Sequence, residues 1–296
     1  MRPGENAADQ MHGKQVVITG ATSGIGRAAA LALGRRGANL LLVSRDRAAG
    51  TDLARRISAE PSAGRADFAE TDLSCLAGVR AAAAKIRAVS PSIDVLINNA
   101  GARFDRFALT PEGNERTFAT NHLGHFLLTG MLLDRLRQSP AARIITVTSS
   151  TAAQARVDGI WQFTDADAYQ RKQAYAKSKL ANLMFAFELA HRLKSSAVLS
   201  LAVDPGIVAT QFARNNGIIP WLKHLVAHGR RLELQSPSEG ADTIVYLAST
   251  DRLAPNPSGA LFRRRQLVPG CPAAYDANAS ADLWRLSTAL TGVDPL

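Results

Sequence analysis

Cysteine is scarce: the 296-residue chain has two, Cys75 and Cys271, with neither CxxC spacing nor a disulfide framework. Both are expected to be free thiols in a reducing compartment. Also missing is any uncharged apolar run long enough to cross a bilayer, and the polar first residues lack the apolar stretch of a signal peptide. A soluble, cytoplasmic protein with no integral membrane segment is the expectation. Repeats, low-complexity stretches and linkers are absent too. Residues 1–12 therefore read as a flexible N-terminal segment and 13–296 as one domain, with 46% hydrophobic residues to fill its core. No G-x-S-x-G elbow occurs, which disfavours a Ser-His-Asp hydrolase. His122 and His125 find no third ligand of suitable spacing, so no metal is expected. Lys+Arg 35 against Asp+Glu 25 leaves +10, yet the densest basic cluster is the short Arg263-Arg264-Arg265 and no nucleic-acid module accompanies it. The excess reads as a solvated basic surface, with no nucleic-acid partner.

What is present is an alternation of apolar strands and helices. Residues 14–19 read as a strand feeding into Gly20-Ala21-Thr22-Ser23-Gly24-Ile25-Gly26 and an Ala/Leu-rich helix, Arg27 to Arg36. A glycine turn between strand and helix permits close backbone approach to phosphates, and the helix N–H groups and dipole favour the anion. The next strand, Asn39 to Ser44, ends in Ser44-Arg45-Asp46, where the ribose of a bound dinucleotide would lie. Arg clamps a 2′-phosphate bidentately and Ser bonds it, so NADP(H) is preferred over NAD(H). Asp46 stands one position too late to select the bare ribose.

Helices over about 46–59 and 75–89 alternate with strands ending at Thr71-Asp72-Leu73 and covering Ile93 to Ile97. That alternation implies a doubly wound parallel α/β sheet of about seven strands with helices on both faces. Asp72 either accepts from an adenine amino group or caps the following helix. Asn98-Asn99-Ala100-Gly101 either bends over a cofactor or forms an ordinary turn. In a helix expected over about 111–138, Asn121 lies near a glycine, and that local disruption can free a backbone carbonyl to hold a water. A strand over Ile144 to Thr148 ends in Ser149-Ser150. Gln173 to Leu193 reads as a helix carrying Tyr175 and Lys179, four apart and so side by side. An ammonium beside a phenol of ordinary pKa near ~10 favours the phenolate, which makes the pair a proton-transfer device; the plainer reading is a surface Tyr and Lys. After a strand over Ala197 to Val203, the chain breaks at Asp204-Pro205-Gly206. The amphipathic stretch 207–236, with Trp221 and Leu222, reads as a substrate lid in preference to a membrane-surface helix. A helix from Ser238 to Ser249, a short strand near Gly259 to Arg263 and a terminal helix near Ala279 to Leu290 complete the order.

In combination these motifs resemble the short-chain dehydrogenase/reductase family, in its single-domain Rossmann-type branch. The match spans nearly the whole chain, and Ser44-Arg45-Asp46, Thr120 to Phe126 and Ser178 to Asn182 are most similar to retinol-dehydrogenase-like, NADP-linked members. The resemblance implies hydride transfer between a nicotinamide and a carbonyl or alcohol carbon of a small molecule. It implies a catalytic tetrad of Asn121, Ser150, Tyr175 and Lys179, with Ser150 chosen over Ser149 by its spacing to Tyr175. In that scheme Tyr175 exchanges the proton and Lys179 lowers its pKa. Ser150 polarises the carbonyl and Asn121 holds a water. Cofactor contacts implied are Gly20, Thr22, Ser23, Gly24, Ile25 and Gly26 at the phosphates, and Ser44 and Arg45 at the 2′-phosphate. Asp72 and Leu73 are implied at the adenine; Asn99, Ala100, Gly101, Tyr175 and Lys179 lie nearer the nicotinamide, with Pro205, Gly206, Val208 and Thr210 at its carboxamide. A homodimer or homotetramer is implied as well. A catalytically silent NADP(H)-binding sensor of the same fold is the competing expectation.

Overall fold

The computed structural model describes residues 11–156, 159, 161–208, 235–253 and 256–296. Expectations placed on 1–10, on Thr210 and on most of the 207–236 segment, Trp221 and Leu222 included, lie outside the described residues. Met11 is buried and its N–H bonds Arg36 O at 3.0 Å, so packed structure begins inside the segment expected to be flexible.

Strand β1 (Gln15–Thr19) leads into helix α1 (Gly24–Gly34), then β2 (Asn39–Ser44), α2 (Arg47–Ser58), β3 (Ala66–Glu70), α3 (Leu76–Val89) and β4 (Val95–Asn98). Next come one turn of α4 (Arg116–Phe118), a π-helical turn (Ala119–Leu123) and α5 (Gly124–Arg137), followed by β5 (Arg143–Val147), a 3₁₀ turn (Ser150–Gln154) and the long α6 (Arg171–Arg192). The chain ends with β6 (Leu199–Val203), α7 (Pro237–Ser249), β7 (Leu261–Arg263), β8 (Gln266–Val268), a 3₁₀ turn (Pro272–Tyr275) and α8 (Ala277–Thr291). The expected helix over about 111–138 starts later, because Glu115 caps it with its carboxylate on Thr117 N and Phe118 N.

The sheet order is β3-β2-β1-β4-β5-β6-β7-β8. All pairs are parallel except β7 with β8. The strands read as continuous apolar runs because both faces are covered. Val16, Ile18, Ile97 and Val147 enter one core, with α1, α2 and α7; Val17, Leu96 and Ile144 enter the other, with α3, α5, α6 and α8. The eighth strand corrects the expected count of about seven. Its hairpin turn, Arg264-Arg265, has φ +50° and +62°, the left-handed pair of a two-residue turn usually built from Asn or Gly. Without those residues the turn carries no sequence signal.

The chain runs outward from β1 to β3, then crosses back to β4 on the other side of β1. This reversal opens a crevice at the carboxyl ends of β1 and β4, where ligands of such sheets bind.

Candidate active site

At the crevice, the glycine turn is packed too closely for side chains. A Cβ on Gly26 would lie 2.2 Å from Gly20 O, and one on Gly20 (φ +67°) 2.9 Å from Ala100 Cα. Helix α1 starts at Gly24, after Thr22 and an extended Ser23 whose side chain makes no capping bond. Its first N–H groups are therefore left for an anion. At the end of β2, Ser44 Oγ is buried with no hydrogen-bond partner among the described residues, beside an exposed Arg45. Asp46 is committed elsewhere, capping α2 by accepting from Ala49 N at 2.9 Å. An open N-terminal turn, a hydroxyl without a partner among the described residues and an exposed guanidinium suit a dinucleotide.

Asp72 accepts from Ser74 N at 2.9 Å and Ser74 Oγ at 2.8 Å. Cys75, not Asp72, caps α3, its Sγ accepting from Gly78 N at 3.4 Å. The capping alternative for Asp72 is thereby corrected: the carboxylate closes a local turn one step earlier. Leu73 is buried, with its carbonyl against Gly124. Val208 pairs with Gln235 as an isolated bridge, and a Cβ on Gly240 would meet Val208 Cγ2 at 2.6 Å and Ile25 Cγ1 at 3.2 Å, so Val208 lies near Ile25 of the glycine turn. Gly206, after Pro205, takes φ +79° and its N–H bonds Asp204 Oδ1 at 2.9 Å; Asp204 is buried and paired with Arg263 at 2.6 Å. Arg263 and Arg265, which pairs with Asp242, are ion-paired and at the same time exposed, so that cluster lies on the solvated surface.

Four elements converge at the bend after β4. Asn99 N and Ala100 N donate to Thr19 Oγ1 at 2.9 and 3.0 Å. The Asn121 side chain clamps the next residues: Oδ1 accepts from Ala102 N at 2.7 Å, and Nδ2 donates to Ala102 O and Ser178 Oγ at 2.9 Å each. A Cβ on Gly101 would come within 3.3 Å of Lys179 Nζ and 3.6 Å of Asn121 Oδ1. Lys179 Nζ donates to Val147 O at 3.1 Å and stands 5.8 Å from the Tyr175 ring centroid. The bend, Asn121, Lys179 and Tyr175 thus meet at one point. Within the π-turn, the Asn121 carbonyl, where a water was expected, faces His125 Nδ1 at 2.9 Å.

The serine pair divides. Ser149 caps the 3₁₀ turn, accepting from Thr151 N at 3.2 Å, and is the hydroxyl hydrogen-bonded to the Tyr175 phenol. Ser150 is the first residue of that turn and is exposed. The hydroxyl beside the phenol is therefore Ser149's, a correction to the expected Ser150–Tyr175 neighbourhood. It arises because β5 ends at Val147 and the turn starts at once.

Charge at the phenol also differs from expectation. Burial pushes Tyr175 up to about 12; Arg103 opposes this, Asp204 adds to it, and the Ser149 hydrogen bond opposes it. Lys179 Nζ stands 5.8 Å from the Tyr175 ring centroid. Its own ammonium is pushed down to about 8 by burial, against the pull of Asp204. Arg103 escaped notice because nothing in its spacing marks it. Its neighbours hold it in place: Ala102 is clamped by Asn121, Phe104 O accepts from Tyr169 Oη at 2.8 Å, and Asp105 pairs with Arg171 at 2.7 Å.

A doubly wound sheet with an open phosphate cradle at its reversal, and a Tyr–Lys pair beside it, defines a dinucleotide-dependent oxidoreductase. The chain belongs to the short-chain dehydrogenase/reductase family: residues 14–218 match the family model described as short chain dehydrogenase. Human (Homo sapiens) retinol dehydrogenase 14 is 36% identical over 296 residues, covering 96% of this chain and 88% of that one. DnrU of Streptomyces sp. (strain C5), provisionally named a daunorubicin C-13 ketoreductase, is 38% identical over 286 residues, 95% and 93% of the two chains. Among solved structures, an uncharacterized protein from Mycobacterium paratuberculosis superposes with TM-score 0.75 at 34% identity, over 98% of both chains. The protein is a hydride-transferring enzyme of this family. No helix among the described residues is long and apolar enough to cross a membrane.

Proposed function

We propose that this enzyme uses NADP(H) to reduce a carbonyl of a lipophilic small molecule, with Tyr175 as general acid. The observation that carries the reading is the convergence of Tyr175, Lys179, Asn121 and Gly101 beside the glycine cradle. The bound nicotinamide supplies the hydride, and the protein's part is to bind, orient and move the proton. Gly24, Ile25 and Gly26 hold phosphate with their N–H groups, while Ser44 and Arg45 take the 2′-phosphate. Asp72 and Leu73 border the adenine; Pro205, Gly206, Val208 and Thr210 border the carboxamide.

A phenol pushed up to about 12 is protonated throughout the physiological range, so the resting site is equipped to donate. Ser149, the hydroxyl beside the phenol, takes the role of polarising the substrate oxygen that Tyr175 protonates, in place of the exposed Ser150. Lys179, near 8, is suited to return a proton to Tyr175 and to bond ribose hydroxyls. Asn121 holds the bend through Ala102 and Ser178, and its carbonyl would hold the water that passes the proton on. A lipophilic substrate is supported by the aromatic cluster of Phe107, Phe163 and Tyr169, with centroids 5.8 and 5.4 Å apart. This cluster adjoins Arg103, whose charge acts on Tyr169 and Tyr175 alike. The names of retinol dehydrogenase 14 and DnrU, a polyene alcohol and a polycyclic ketone, point the same way.

The test is an NADPH-oxidation screen over ketones, aldehydes and quinones with wild type and Tyr175→Phe. Turnover is expected to fall about 10³-fold in the variant, with the NADPH Kd within a few-fold. Tight NADPH binding and no oxidation by wild type across the panel would leave the silent-sensor alternative standing instead.

A further inference from the structure

The imidazole of His125 lies fully buried between β1 and the π-turn, and its hydrogen bonds admit one assignment. The Asn121 carbonyl can only accept, so His125 Nδ1, 2.9 Å away, carries a proton. Burial pushes the ring down to about 4, helped by the nearby Lys179 charge and opposed by the Asn121 carbonyl, so the ring is neutral at pH 7. Its Nε2 is therefore bare and accepts from the Thr19 hydroxyl at 2.9 Å. Ile97 O, at 3.3 Å, is the longer alternative for that hydroxyl proton. With its proton given to the ring, Thr19 Oγ1 receives Asn99 N and Ala100 N at 2.9 and 3.0 Å. One donor and two acceptor sites are then all in use.

These bonds close a ring: Thr19, the bend at Asn99 to Ala102, the Asn121 side chain, the Asn121 carbonyl, His125, and back to Thr19. We propose that His125 is a positioning residue, an imidazole strut that ties the Asn121 carbonyl within the π-turn to Thr19 and so holds Asn121 in register with the cofactor-side bend. The ring bridges to a hydroxyl 106 residues away along the chain. The strut does not itself relay protons, since its neutral form is locked and Thr19 has none to spare. What it positions is named by the hydride-transfer reading above, on which the inference rests for its consequence but not for the strut itself.

The test uses the full-length enzyme, ¹⁵N-histidine labelling, and the variants Thr19→Val, His125→Phe and His125→Gln. The His125 ring is expected as the neutral Nδ1–H tautomer at pH 7, a readout independent of turnover and therefore valid even if the proposed substrate class is wrong. Thr19→Val and His125→Phe are each expected to raise the NADPH KM about tenfold, and the double variant no further, because both cut one connection. His125→Gln, which keeps a donor and an acceptor, is expected to recover most of the loss. Additive losses, or a ring protonated at Nε2, would overturn the proposal. Should His125→Phe fail to fold, Thr19→Val and the tautomer still decide it.

Discussion

Arg45 is exposed at the end of β2, next to a buried Ser44 hydroxyl that has no partner among the described residues. The nearest carboxylate in sequence, Asp46, is held by Ala49 N. On the proposed NADP(H) reading, Arg45 supplies the charge that takes the 2′-phosphate beside Ser44. Arg45→Asp is expected to lower the NADPH-to-NADH ratio of kcat/KM by about 100-fold, the loss of a bidentate phosphate clamp plus a like-charge clash. An unchanged ratio would remove Arg45 from the assignment. The Tyr175 neighbourhood makes a second point at this scale. Its four-residue spacing to Lys179 was plain in the chain, but adjacency on one helix did not decide the phenol's acidity. Desolvation dominates it, and the charge opposing desolvation comes from Arg103, on a loop 72 residues earlier in the sequence.

Among elements, the β7–β8 hairpin is the least conventional. Arg264 and Arg265 occupy left-handed backbone at both central positions of its turn. Such residues cost about 1–2 kcal/mol each there. Arg265 is held by its pair with Asp242 and by its N–H on Thr243 Oγ1 at 3.1 Å. Arg264 makes an interaction of its own, but an exposed one contributes about 0–1 kcal/mol, so the backbone relief in Arg264→Gly is expected to win and to raise the denaturant midpoint slightly. A drop would show that the Arg264 side chain contributes more than its backbone conformation costs. The π-turn at Ala119–Leu123 illustrates the other side of element-level reading. Asn121 and Gly124 signalled a local break in the helix, and a break is there. That His125 meets the Asn121 carbonyl with one ring nitrogen and Thr19 with the other was invisible, since Thr19 lies on a distant strand.

For the molecule as a whole, two buried histidines set a pH limit. Burial holds His122 near 3 and His125 near 4, both below the ordinary 6.5. The folded state keeps them neutral, while the unfolded chain protonates them below about 6.5. Stability is therefore full above that value and falls as pH drops from 6.5 towards 4 and 3. By pH 5 the expected loss is about 2 kcal/mol per histidine, measured as a declining unfolding free energy and proton uptake on unfolding. A flat profile between pH 5 and 7 would mean that one or both rings are charged in the fold.

What the sequence alone determined is everything set by short-range spacing. The alternation of apolar strands and helices gave the doubly wound sheet, the glycine turn after β1 marked the phosphate cradle, and Tyr175 with Lys179 marked the crevice. These are legible because strand and helix periods, glycine's backbone freedom and i,i+4 neighbourhood act over a few residues. The tertiary structure decided the rest: that Ser149 and not Ser150 touches the phenol, that Arg103 is its opposing charge, that His125 holds the Asn121 carbonyl, and that an eighth strand closes the sheet. Each depends on burial or on contacts between segments far apart in the chain, and both arise only when the two faces of the sheet are packed.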